Sequence, residues 1–157
     1  MSDRELAWKR EAAVLQSGLL SVGHGSEIAS IVSFVAARYE APIAALSILF
    51  GGKQIVFSAV GIDVKETRRD DSFCNIAIQD PARATVALNA LADDRFNNLA
   101  PVQGDPFIRF YAGAPIIDHR GNALGALCIA DIKARDNFDP ADLIERGREI
   151  ANLIREW

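Results

Sequence analysis

The stretch IAALSILF, residues 43–50, is apolar on both of its alternating faces, as a central β-strand covered on both sides would be. It is followed by Gly51-Gly52 and by a second strand-like run, residues 53–60. A pair of glycines between two such runs favours a tight turn that reverses the chain. Residues 43–60 therefore predict a β-hairpin.

Three further segments have the pattern of strands. Residues 84–91 form one, and residues 107–117 alternate between an apolar face and a mixed face that holds Arg109, Tyr111 and Pro115. A turn joins the latter to residues 123–130, which predicts a second hairpin. Residues 61–71 are polar and charged and are expected to form a loop, and residues 97–105 are irregular.

Helices are predicted at both ends of the chain. Residues 1–20 form the first, with apolar side chains in two stripes on nearly opposite sides, which is typical of a helix with two neighbours. Ser26 can cap a second helix, Ser72 a short helical turn, and Asp139-Pro140 begins a helix over residues 139–157. This order predicts one α+β domain, residues 1–157, with helices on an antiparallel sheet of five to six strands.

Composition excludes several classes of function. The chain has 157 residues and a net charge of −4 that is spread along its length, which does not favour a nucleic-acid or membrane-surface partner. No apolar run approaches the roughly 18 residues of a membrane span, and the charged N-terminus is unlike a signal peptide. We expect a cytoplasmic protein.

Cysteine and histidine are scarce. Cys74, Cys128, His24 and His119 are too few and too scattered for a disulfide framework or a metal site, and we predict no metal. Both histidines fall in loops and are expected to face solvent. Cys74, beside the helical turn, is either a reactive thiol or a small buried side chain, and burial is favoured. Cys128, inside a strand, is expected to pack.

The mixed face of residues 107–117 is the remaining candidate for a site. An irregular segment laid across a sheet is where a ligand cavity tends to form. The alternative is a half-solvated face on which Arg109 is simply exposed.

Four motifs resemble a bacterial subgroup of GAF domains. They are RDDSFC at residues 69–74, DDRF at 93–96, RFYAGAP at 109–115 and GALCIAD at 125–131. The resemblance runs from about residue 14 to residue 157. It implies a central antiparallel sheet, end helices on one face that are often used for dimerisation, and a small-molecule pocket on the other face.

The resemblance also implies a function. GAF domains are mostly sensory or regulatory modules coupled to a separate signalling effector, so we predict a non-catalytic sensor of a small molecule that forms a homodimer. The identity of the ligand and of any cofactor stays open. The residues predicted to bind the ligand are Phe57, Phe73, Cys74, Phe96, Arg109, Tyr111 and Pro115.

The chain departs from the subgroup at several positions. Cys74 is followed by Asn75-Ile76, where members of the subgroup usually have Ala-His. Bilin-binding members commonly have His directly after the cysteine that carries the chromophore, so Cys74-Asn75 argues against an attached bilin, and the motifs of the cyclic-nucleotide subgroup are absent. Two alternatives remain. One is a free methionine-R-sulfoxide reductase that uses Cys74, with Cys128 as the second thiol. The other is a dimerisation or interaction module without a ligand.

Overall fold

The computed structural model describes residues 25–155 of the chain. In this range six strands form one antiparallel sheet, which four helices flank. The helices are α1 (Gly25–Arg38), α2 (Phe73–Ala77), α3 (Ala100–Gln103) and α4 (Ala141–Arg155). The strands are β1 (Ile43–Phe50), β2 (Lys53–Val60), β3 (Glu66–Arg68), β4 (Thr85–Ala87), β5 (Phe110–Ile117) and β6 (Ala123–Asp131).

The strands lie in the order β3-β2-β1-β6-β5-β4, and each neighbouring pair is antiparallel. Both predicted hairpins are confirmed. Phe50 pairs with Lys53 across the glycine turn, and Gly51 has a φ of 63°, a left-handed conformation that glycine adopts without steric cost. The α+β class and the antiparallel sheet of the predicted fold are therefore present.

The two faces of the sheet carry different layers. On one face α1 and α4 bury their apolar stripes, so that Ile28 and Leu143 pack with Leu46 and Ile116 of the sheet. On the opposite face a second core forms around Phe96 and the short helices of the chain's middle. Because strand side chains alternate between faces, β1, β4, β5 and β6 contribute to both cores.

Several predicted boundaries were wrong. Residues 61–71 are not only loop, because β3 pairs with β2 and a 3₁₀ turn follows at Arg69–Asp71. A three-residue polar strand at a sheet edge has no apolar alternation to reveal it. The strand predicted at 84–91 contains only β4, and the strand predicted from 107 begins at Phe110 because Phe107 has a φ of 62°, which a β-strand excludes.

The predicted caps at Ser72 and Asp139 are confirmed, whereas the one at Ser26 was wrong, because Ser26 lies within α1, which already includes Gly25. The backbone N–H of Ala141 donates to Oδ1 of Asp139 at 3.0 Å, so Asp139 caps α4 as expected. The predicted helix over residues 1–20 lies outside the described residues, as do residues 156–157 of the last helix. No helix within residues 25–155 is long and apolar enough to cross a membrane.

Candidate functional site

A cavity of about 370 Å³ lies on the face of the sheet that α1 and α4 leave uncovered. Its floor comes from the middle of the sheet, and its cover comes from two segments, residues 62–74 and 100–108. The lining residues are Ile43, Ala45, Ser47, Gln54, Val56, Ile62, Val64, Thr67, Arg68, Asp71, Ser72, Phe73, Cys74, Ala100, Pro101, Asp105, Pro106, Ile108, Tyr111, Cys128 and Ala130.

The cavity exists because its floor is built from small side chains. Ala45 and Ser47 of β1 lie beside Cys128 and Ala130 of β6 on this face. Their neighbours Leu46 and Ile48 in the chain point to the other face and are fully buried there. The strands thus direct their large side chains towards α1 and α4 and their small side chains towards the opposite face, where the cavity lies.

The cover begins with the motif at residues 69–74. The Ser72 hydroxyl donates to the Arg69 carbonyl at 2.8 Å and accepts the Asn75 backbone N–H at 3.1 Å, which caps α2. Arg69 Nε donates to Oδ1 of Asn75 at 2.7 Å and ties the 3₁₀ turn to the helix. This turn directs Phe73 and Cys74 down onto the sheet.

Three aromatic rings pack together beside the cavity, and those of Phe73 and Tyr111 line it. The Phe73 ring lies 4.6 Å from that of Tyr111 and 5.0 Å from that of Phe96, centroid to centroid. The motif at residues 93–96 places Phe96 there, because Arg95 donates both to the Asp93 carboxylate at 2.7 Å and to the Val86 carbonyl at 2.9 Å. The Arg95 hydrogen bond also lowers the pKa of Asp93.

Tyr111 carries a hydroxyl group without a partner. The residue is 2% exposed, and its Oη is buried with no hydrogen bond. Burial raises the pKa of this phenol well above its ordinary value, so the group is neutral and able to donate. A buried hydroxyl without a partner costs about 1–3 kcal/mol, which makes this atom a candidate contact for a ligand.

Both cysteines line the cavity as free thiols. Cys74 is 1% exposed, and its Sγ donates to the Ser47 carbonyl at 3.8 Å. Burial raises the pKa of the Cys74 thiol and raises that of Cys128 to about 12. Neither thiol is set up as a thiolate at neutral pH.

The charged groups of the lining are Arg68, Asp71 and Asp105. Arg68 and Asp105 are exposed, and Asp71 is half-buried. Arg68 already forms an ion pair with Asp70 at 3.8 Å. The charges therefore lie towards solvent, while the floor is uncharged.

The structure brings together only part of the predicted site. Phe73, Cys74 and Tyr111 line the cavity, and Phe96 stands behind them. Arg109 does not line it. Its guanidinium donates to the carbonyls of Val102 and Ile108, both at 3.0 Å, and so holds the cover segment.

Two predicted residues lie elsewhere. Phe57 packs with the core on the side of α1 and α4, because the pairing passes from Leu46–Ser58 to Ser47–Val56 and leaves Phe57 as the extra residue of a β-bulge, so that Val56 lines the cavity instead. Pro115 lies four residues after Tyr111 in β5. It lines a separate cavity of about 360 Å³, which Gly147 of α4 also lines.

Most of the floor was missed by the predictions, although a signal for it is present in the sequence. In residues 45–48 and 126–130 small side chains alternate with Leu and Ile. Two adjacent strands with the same alternation have one face of low bulk. Such a face predicts space that another group must fill.

The model of the family described as "GAF domain" matches residues 26–154 of the chain. Over 134 residues the chain is 40% identical to a cyclic di-GMP phosphodiesterase of Pseudomonas aeruginosa. That alignment covers 85% of this chain and 23% of the phosphodiesterase, so the chain spans about a quarter of that relative.

Solved structures share the fold. The GAF domain of an Acinetobacter phosphoenolpyruvate-protein phosphotransferase has a TM-score of 0.71 at 16% identity, covering 99% of this chain and 95% of that one. A type II free methionine-R-sulfoxide reductase from Thermoplasma acidophilum has a TM-score of 0.66 at 18% identity, covering 83% and 92%. At these identities the likeness concerns the fold alone.

Proposed function

Because this chain belongs to the GAF domain family, we propose that it is a non-catalytic signalling domain that binds a small molecule in the sheet cavity. The observation that carries the proposal is the buried Tyr111 hydroxyl, which lacks a partner in a residue that lines a cavity of about 370 Å³. A ligand would supply both the missing hydrogen bond and the missing packing.

The proposed output is control of cyclic di-GMP breakdown. It is supported by the 40% identity to a cyclic di-GMP phosphodiesterase, a protein of which the matched region is only a part. A chimera in which this chain replaces that region of the relative tests the proposal. We expect its hydrolysis of cyclic di-GMP to change when the cavity is filled by Val56→Trp, and an unchanged rate would contradict control through this cavity.

Ligand binding itself is tested by native mass spectrometry of freshly purified protein. Val56 lines the cavity at half-buried β2, so Val56→Trp fills space with little disturbance of the core. Leu88→Trp is the matched control, because Leu88 is 38% exposed and does not line the cavity. We expect a bound mass in the wild type and the control that is missing from Val56→Trp. The same mass in all three proteins would place the ligand elsewhere.

The reductase is the second candidate, and the presence of both thiols in the cavity lining favours it. In that reaction a thiolate attacks the sulfoxide sulfur, methionine leaves, and the resulting sulfenic acid condenses with the second thiol to give a disulfide and water. An external dithiol would then reduce the disulfide. The raised pKa of both thiols opposes the first step.

Chromatographic assay of methionine formed from methionine-R-sulfoxide with dithiothreitol decides between the two candidates. We expect no difference between the wild type and Cys74→Ser. Turnover that Cys74→Ser abolishes would establish the reductase. If the assay finds no turnover and mass spectrometry finds no bound mass, we infer that the chain is an interaction module without a ligand.

A further inference from the structure

We propose that the ligand of the sheet cavity is an uncharged, largely apolar small molecule that presents a hydrogen-bond acceptor to the Tyr111 hydroxyl, and not a phosphate-bearing nucleotide. This inference rests on the proposed function, because it names the class of ligand for the same cavity. The proposed ligand therefore differs in chemical class from cyclic di-GMP, the substrate for which the Pseudomonas aeruginosa relative is named.

The inner part of the cavity offers neutral donors. Tyr111 lines the cavity and carries an O–H that is itself buried, and Cys74 and Cys128 contribute S–H groups, of which that of Cys74 already has the Ser47 carbonyl as its acceptor. All three groups have a raised pKa and stay protonated at neutral pH. A donor without an acceptor is best matched by a carbonyl, ether or aromatic nitrogen of a ligand.

The Tyr111 hydroxyl lies in a closely packed place beside the cavity. The Phe73 and Phe96 rings pack against the phenol ring, and a Cβ added at Gly113 would lie 2.2 Å from Oη. The hydroxyl therefore lies directly over Gly113, where only glycine leaves room for it. Because Oη has no exposed surface, a ligand in the cavity reaches it only when the phenol ring shifts towards the cavity, and we include that shift in the proposal.

The lining does not suit a phosphate group. Phosphate sites use several arginines or lysines, or a row of free backbone N–H groups. Arg68 is the cation of this lining, its side chain is 78% exposed, and Asp70 already pairs with it. The carboxylates of Asp71 and Asp105 line the same cavity and would repel a phosphate. The uncharged floor offers an anion no compensation for lost water.

Three probes of similar ring size separate the ligand classes: acetophenone, which carries a carbonyl acceptor, ethylbenzene, which carries none, and phenyl phosphate. Their dissociation constants for the full chain are measured by NMR titration of the wild type and of Tyr111→Phe. Loss of one neutral hydrogen bond should weaken acetophenone about three- to ten-fold in Tyr111→Phe and leave ethylbenzene unchanged within about two-fold. Phenyl phosphate should bind at least about ten-fold more weakly than acetophenone to the wild type.

Gly113→Ala gives an independent check, since the added methyl group would push the hydroxyl away. It should weaken acetophenone selectively, as Tyr111→Phe does. Val56→Trp should abolish binding of the probes, and Leu88→Trp should not.

The unfavourable outcomes are distinguishable. If Val56→Trp abolishes binding but Tyr111→Phe affects acetophenone and ethylbenzene alike, or phenyl phosphate binds as tightly as acetophenone, the cavity is a ligand site and the class proposed is wrong. If the probes bind Val56→Trp as well as the wild type, they do not occupy the cavity, and the proposed function fails together with this inference.

Discussion

The ring of Phe73, the first residue of α2, stacks on the ring of Tyr111 in β5 with 4.6 Å between centroids and 22° between planes. This contact joins the cover of the cavity to its floor. Phe73 comes from a turn whose conformation depends on the Ser72 cap, whereas Tyr111 is fixed by its pairing with Ala130 of β6. A displacement of α2 therefore affects the position of Tyr111, whose buried hydroxyl lacks a hydrogen-bond partner.

Truncation of Phe73 should destabilise the protein. The residue is 9% exposed and contacts two other rings, so we expect Phe73→Ala to lower the free energy of unfolding by about 3 kcal/mol, measured by urea denaturation. Phe107→Ala is the control, because Phe107 is 51% exposed and its loss should change the value by less than about 0.5 kcal/mol. Equal effects of the two substitutions would refute the role given to the Phe73 contact.

Loss of the hydroxyl should lower the free energy of unfolding in Tyr39→Phe but not in Tyr111→Phe. In Tyr39 the hydroxyl accepts the Leu143 N–H and donates to the Asp139 carbonyl, both at 3.0 Å, so Tyr39→Phe should cost about 1–3 kcal/mol. In Tyr111→Phe no hydrogen bond is lost, and we expect stability to stay constant or rise by up to about 1 kcal/mol. Thermal and urea unfolding of both variants measure this. A marked loss in Tyr111→Phe would mean that its hydroxyl is already paired.

The hairpin of β1 and β2 shows how much of the fold the sequence contains. Both strands begin and end where the pattern predicts, because an apolar run is interrupted by two glycines, one of which needs a positive φ. The edge strand β3 shows what the sequence leaves out. Its residues are polar, and Lys53 pairs with Glu66 in solvent at 3.1 Å, so no core pattern marks it.

Which of the predicted residues line the cavity depends on the face on which each lies, and a motif does not identify that face. Tyr111 and Cys74 were found through motifs, while Phe57 was selected on a strand whose cavity-facing residue is Val56. Phe57 is the extra residue of a β-bulge, since Leu46 pairs with Ser58 and Ser47 with Val56. Such a bulge shifts the faces of a strand by one residue, and alternation alone does not predict it.

We propose that the chain forms a homodimer through its helix layer. Phe34 of α1 is 47% exposed beside Arg146 of α4, whose guanidinium lies 5.5 Å from the ring centroid. Light scattering should give about twice the 17.0 kDa of one chain, and Phe34→Glu should shift it towards one chain. Ile132→Glu, at a 55% exposed position after β6, is the matched control. A wild-type mass near 17.0 kDa at high concentration would contradict the dimer.

The buried thiol of Cys74 predicts how stability depends on pH. Its pKa is raised in the folded state, so the contribution of the neutral thiol is fully present below the ordinary cysteine pKa. Above about pH 9 the unfolded chain loses this proton and the folded chain retains it, so Cys74 alone should lower the free energy of unfolding by up to about 1.4 kcal/mol per pH unit, and Cys128, whose pKa is also raised, should add to the slope. Urea denaturation between about pH 8 and pH 10.5 measures this slope. Cys74→Ser lacks the titrating thiol and should show a shallower slope, whereas identical slopes would mean that Cys74 titrates alike in both states.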